Sequence, residues 1–249
     1  MDFFAFPPIA AILDLAYSGL LGLSTLLSPL TDASAALAIV IVTLLVRAAL
    51  IPAGISQARA EQMRARLAPR LRELQKRYAK SPERLQRETM QLYRDENASP
   101  FAGCLPVLIQ APIVGVLYAI FLHPTIAGHP NELLTQTLFG VPLGSSLAGT
   151  IAAGAMDAAT LAVFAVLVLL IAAVGEATRR LLRPEPAAAA GSPIPVALLG
   201  VLQFATAVVA LFVPLAAGLY LLVTVTWTLG QRLVLRRIHP PGATLSTSS

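Results

Sequence analysis

The chain has 249 residues but one cysteine, Cys104, and three histidines. That count excludes an intramolecular disulfide and a cysteine-built metal cluster. His123, His129 and His239 show no metal-ligand spacing. No hydrolase nucleophile motif, Walker loop or haem motif occurs, so the reading is a protein without enzymatic activity and without a cofactor. Charge is scarce as well, at 12%, where soluble domains carry about a quarter. Lys and Arg are missing from residues 1–34, which hold Asp2, Asp14 and Asp32. They are missing again from residues 123–157, which hold Glu132 and Asp157.

Hydrophobic residues, by contrast, make up 56% of the chain, and the mean hydropathy is +0.74. They cluster in runs that call for lipid rather than for an unusually large core, which predicts an integral membrane protein. Five stretches are long enough, or nearly so, to cross about 30 Å of hydrocarbon. They fall at 34–55, 105–122, 158–175, 194–213 and 215–231. Numbered in that order, they place 56–104, 176–193 and 232–249 on one side, and these segments hold every basic residue except Arg47. Excess Lys and Arg marks the cytoplasmic side, so the N-terminus is expected outside and the C-terminus inside the plasma membrane. "IAAILDLAYSGLLGLSTLLS" has Asp14 as its only charge. It reads either as a sixth span or, more economically, as an interfacial helix on the outer face. Pro214 and Gly218 in "FVPLAAG" are expected to form a tight outer turn between the last two spans.

The expected fold class is therefore an all-α polytopic membrane protein. It has five transmembrane helices, a cytoplasmic antiparallel helical hairpin and an outer interfacial helix. Its parts would be an outer segment 1–33, a first span 34–56, the hairpin 57–104, the remaining spans and loops 105–231, and a basic tail 232–249.

The hairpin is read from its stripes. Leu67, Leu71, Leu74 and Tyr78 repeat at four and three residues, and Leu85, Thr89 and Leu92 continue beyond "KSP". Ser81 is placed to cap the second helix, with Pro82 first and Glu83 in the first turn. Eleven basic residues lie between Arg59 and Arg94. They suit a solvated positive-inside loop, anionic lipid or an acidic partner surface. No RNA-reading motif accompanies them, so sequence-specific nucleic-acid binding is not expected.

Arg47 is the one charge in the apolar run from Ala33 to Ile55. An arginine in lipid costs from about 2.5 to over 10 kcal/mol, so it faces protein or water, or it snorkels to the surface. Periodicity leaves those readings open. Gln110, Gln203, Thr224, Thr226, Thr228 and Gln231 are polar companions in other spans, each also readable as an ordinary interhelical hydrogen bonder. No acidic residue lies in the first, second, fourth or fifth span, which favours a hydrated cavity over a buried ion pair.

"IVTLLVRAALIP", the charged hairpin and "GCLPVLIQAPIVGVLYAIF" at 103–121 together resemble the YidC/Oxa1/Alb3 family of membrane protein insertases. "FVPLAAGLYLLVTVTWTLGQR" is similar to the family's last hairpin, and the resemblance covers about residues 9–237. It implies a hydrophilic groove open to the cytoplasm and to lipid, in which Arg47 attracts acidic residues of a nascent membrane protein. Gln110, Gln203 and Trp227 would be groove or packing residues, and Thr224 and Gln231, read above as polar companions, join them as candidate groove residues. The partners implied are nascent membrane proteins, membrane lipids, the Sec translocon and the ribosome. Leu221 and Val225 stand where the family often has tryptophan and asparagine, so the groove is expected to be less polar near the last span. The competing reading is a small secondary transporter or channel for an anionic solute. Against it stand the lack of an inverted repeat and of paired ionisable residues for ion coupling.

Overall fold

The computed structural model describes residues 7–96, 115–116, 118–121, 123–126, 128–182 and 204–238. Of the five expected spans, most of 105–122 and the first half of 194–213 lie outside these residues. Among the described residues the fold is helical, apart from two small β-hairpins. Three helices are long and apolar enough to cross a membrane, and four if one bent pair counts as a single span.

The first helix, α1 (Pro7–Leu27), is among these three. Leu13, Tyr17, Leu20 and Ser24 form its buried stripe, while Ile12, Leu15 and Leu26 are exposed. A short turn leads to α2 (Ser34–Ala49), which packs along α1. The expected continuous span 34–55 is instead broken at Leu50, where α2 and α3 (Ile51–Arg77) meet at a bend of 56°. Pro52 is the physical cause. It has no N–H for the carbonyl of Ala48, its ring clashes with that carbonyl, and it is tolerated in the first turn of a new helix.

α3 runs on into the charged hairpin and turns at Tyr78–Ser81 into α4 (Pro82–Asp95). Leu67 is buried, Leu71, Leu74, Tyr78, Leu85, Thr89 and Leu92 are half-buried, and α3 and α4 are in contact. Glu96, at the end of α4, accepts from Arg66 at 2.6 Å and Arg70 at 2.5 Å and closes the open end of the pair. Ser81 does occupy the N-cap position with Pro82 and Glu83 following, but its side chain makes no capping bond.

Residues 123–157, whose glycines and prolines break every sequence period, form a compact cap. β1 (Thr125–Ile126) pairs with β2 (His129–Pro130), and β3 (Thr137–Leu138) pairs with β4 (Val141–Pro142), both antiparallel. A 3-10 turn (Glu132–Leu134) lies between them, and α5 (Leu147–Ala152) follows. Buried Asn131 fastens the cap by donating to Ile120 O at 2.5 Å and His123 O at 3.0 Å. Two residues hold α1 along it. The Tyr17 hydroxyl donates to Pro130 O and accepts from Glu132 N–H, and Ser24 bridges Ser34 and Gln136.

Asp157 caps α6 (Ala158–Leu181), accepting from Thr160 N–H at 2.7 Å. Hydrogen bonding from the Thr160 side chain first, and from its N–H second, holds the Asp157 carboxyl below its ordinary range. Thr160, Phe164, Leu167, Ile171 and Gly175 form one buried stripe, while Leu161, Val166 and Leu169 on other faces are exposed. An apolar face left uncovered over a whole helix is what lipid contact requires. α7 (Ala205–Val209) packs on α6 and leads to α8 (Leu215–Ile238). Gly218 is not a turn residue as expected. It lies inside α8, where an added Cβ would stand 2.6 Å from Leu167 Cδ2, so its lack of a side chain lets α6 and α8 approach closely.

α2, α6 and α8 run in the same direction. The start of α8 is bonded to the cap through Leu215 N–H to Ser145 O and Ala216 N–H to Leu143 O. At the far end, Arg236 donates to Leu181 O, which ties α8 to α6. Glu176 there accepts from Arg179 at 2.7 Å and Arg180 at 2.5 Å.

Candidate functional site

On α2, Ile39, Thr43 and Arg47 stand four residues apart and so share a face. Ile39 and Thr43 are only 2% and 1% exposed, whereas Leu44 and Leu45 on the other side are open. Arg47 therefore continues the face that turns into the protein. It lies in the last turn of α2, where the negative end of the helix dipole favours a cation. Its Nε is buried and has no hydrogen-bond partner among the described residues.

The level of this turn matters. α2 has 16 residues, while α6 and α8 have 24 each. Counted from the common cap, the eight-residue difference ends α2 about 12 Å short of its neighbours. By that count partly buried Arg47 stands closer to the cap than Arg179, Arg180, Arg236 and Arg237.

α8 packs against α2 and carries polar side chains in its middle turns. Thr224, Trp227 and Gln231 repeat at three and four residues and share one face. Trp227 Nε1 donates to Gln231 Oε1 at 3.2 Å. Thr224 Oγ1 and Gln231 Nε2 are buried without partners among the described residues. Thr226 and Thr228 differ, since their hydroxyls donate to Leu222 O and Thr224 O of their own helix. No carboxylate occurs on α2 or α8 to neutralise Arg47. Of the expected site residues, Arg47, Thr224, Trp227 and Gln231 fall on these two packed helices, while Gln110 and Gln203 lie outside the described residues.

Packing around the seam is graded. On α2, full burial stops at Thr43, and on α8 it stops at Tyr220. Beyond those points no described residue of either helix is fully buried. Burial along both helices is complete nearest the cap and partial toward the basic ends. No group of three or more His, Cys, Asp or Glu placed to hold a metal occurs among the described residues.

Sequence reasoning missed Gly54. In the first turn of α3, it sits directly under the Gln231 side chain, whose Nε2 comes within 1.9 Å of where a Cβ would be. The only sequence signal was a glycine two residues after a proline in an apolar run.

The chain is similar to several known proteins. The chain is 46% identical over 83 residues to the membrane protein insertase YidC of Clostridium perfringens (strain 13 / Type A), covering 33% of this chain and 35% of that protein. Against YidC of Oceanobacillus iheyensis the identity is 42% over 98 residues, covering 37% and 39%. Against the membrane protein insertase MisCA of Bacillus subtilis (strain 168) it is 36% over 112 residues, covering 43% of each. The matches thus span between a third and a half of these relatives. Residues 26–242 match the family described as 60Kd inner membrane protein, and the chain belongs to that family.

Proposed function

We propose that this chain is a membrane protein insertase and chaperone that works without catalysis. The observation that carries the reading is the seam of α2 and α8. There a buried arginine nitrogen, a hydroxyl and an amide nitrogen lack partners among the described residues, and neither helix carries an acid. Buried polar groups in that state call for water or a ligand. An acidic, hydrated segment of a nascent protein supplies both. It enters from the less buried end, Arg47 attracts its carboxylates, and hydration with local bilayer thinning lowers the cost of its passage. The apolar span behind it leaves sideways into lipid, and burial of apolar area drives that step. The chain's similarity to membrane protein insertases supports the same reading.

In this proposal five spans cross the plasma membrane, with the N-terminus outside and the C-terminus in the cytoplasm. The arginines at the ends of α6 and α8 and in the hairpin support that orientation. α1 lies on the outer surface, which its two attachments to the cap, at Tyr17 and Ser24, support. The hairpin receives substrate, and the Sec translocon and ribosome are partners.

Reconstitution in liposomes tests the function. Purified protein should promote insertion of a single-span substrate with a short acidic outer tail. Arg47→Ala should slow that insertion about tenfold or more, as loss of a charge-assisted contact of ~1.5–3 kcal/mol would. Arg47→Lys should retain most activity if charge rather than the guanidinium fork does the attracting. Unchanged insertion with and without protein, together with carriage of a small anion, would establish the transporter instead.

A further inference from the structure

Gly54 and Gln231 form a contact with more consequence than packing. A Cβ at Gly54 would stand 1.9 Å from Gln231 Nε2, 2.8 Å from its Cδ and 3.1 Å from its Oε1. Only hydrogen fits there while the amide is in place. Alanine is the better helix former, so glycine at this position trades helix propensity for the contact. From the other side the amide is oriented by the Trp227 indole, which donates to Oε1. Its Nε2 end is buried, faces the root of the hairpin and has no hydrogen-bond partner among the described residues.

The position is mechanically sensitive. Gly54 lies one turn past the 56° break, on a helix that runs from Ile51 to Arg77. A small rotation at the root is therefore levered along about 40 Å of helix to the hairpin turn.

We infer that Gln231 is a positioning residue, a latch that holds the hairpin root against α8. The latch opens when a carbonyl or carboxylate of a segment in the seam takes the Nε2 donor. The amide then swings off Gly54, the bend between α2 and α3 loosens, and the hairpin moves. Entry of substrate is in this way signalled to the charged hairpin. The opening step rests on the insertase reading, and the resting contact does not.

The test reads hairpin position rather than insertion. Spin labels are placed at Lys80→Cys and Ile151→Cys in a Cys104→Ser background of the full chain in nanodiscs. Their separation is measured by pulsed EPR. Gln231→Ala, which only removes atoms, should broaden the distribution. Gly54→Ala, whose methyl must push the amide aside, should broaden it to a similar extent. The double variant should be no broader than either single, because both remove one contact. A peptide with an apolar span and an acidic tail should broaden the parent distribution but leave both variants unchanged. A parent-like distribution in Gln231→Ala overturns the latch, as does simple addition of the two effects. If the protein inserts acidic-tailed spans while its hairpin ignores the peptide, the latch fails and the insertase reading stands.

Discussion

Phe139 has φ 52° and the following Gly140 φ 82°, at the tip of the hairpin in which Leu138 pairs with Val141. Two positive φ values in a two-residue loop make a type I′ turn, which favours Asn-Gly. A phenylalanine there carries the left-handed penalty of about 1–2 kcal/mol, and its ring, 80% exposed, gains little packing in return. We expect Phe139→Asn to raise the midpoint of thermal unfolding, by an amount equivalent to about 1 kcal/mol. Asn131 should behave in the opposite way. It is 4% exposed and donates to two carbonyls, so Asn131→Leu should destabilise by about 1–3 kcal/mol in the same measurement. The position of Arg47 shows how far single residues were legible. Its four-residue spacing from Ile39 and Thr43 is plain in the sequence. Which face turned inward was not, because α2 is apolar all round and shows no polar side to mark the outside.

At the scale of elements, apolar run length marks the helices α1, α2, α6 and α8 and periodicity marks the hairpin, but neither places the break at Leu50 or puts Gly218 inside a helix. Pro52 was read inside a span because a proline is acceptable both at a kink and in a first turn. Only its neighbours in space decide which. Gly218 was read as a turn because glycine serves turns and close helix contacts equally well. Cap strands of two residues are too short for any period to register. Pro52→Ala returns an N–H toward the Ala48 carbonyl, and we expect it to reduce the bend, seen as a longer distance between labels on α2 and α3. The Asp157 cap predicts a pH effect. Its folded pKa is lowered, so its stabilisation is complete above the unfolded value of about 3.9 and is lost as pH falls through the folded value. Hydrogen exchange at Thr160 should therefore quicken relative to Asp157→Asn, which does not titrate, once the pH drops below about 4.

For the whole molecule, the sequence carried the charge asymmetry and the family resemblance, but not the arrangement of three parallel helices under one cap. That arrangement depends on contacts between residues more than a hundred positions apart, such as Tyr17 with Pro130. The proposed orientation predicts the outcome of thiol labelling in intact cells. In a Cys104→Ser background, an impermeant reagent should reach Ala153→Cys directly and Lys80→Cys only after permeabilisation. The reverse pattern would invert the protein. The early end of α2 also has an electrical side. A transmembrane voltage falls across the low-dielectric interior, and a unit charge crossing all of it exchanges about 2.3 kcal/mol per 100 mV. In the proposed orientation the arginines ending α6 and α8 sit beyond that drop, whereas Arg47, about 12 Å short of them, sits within it. A cytoplasm held negative draws Arg47 inward and drives a carboxylate outward past it. Collapsing the potential should then slow passage of acidic tails, leave neutral tails little changed and favour basic ones.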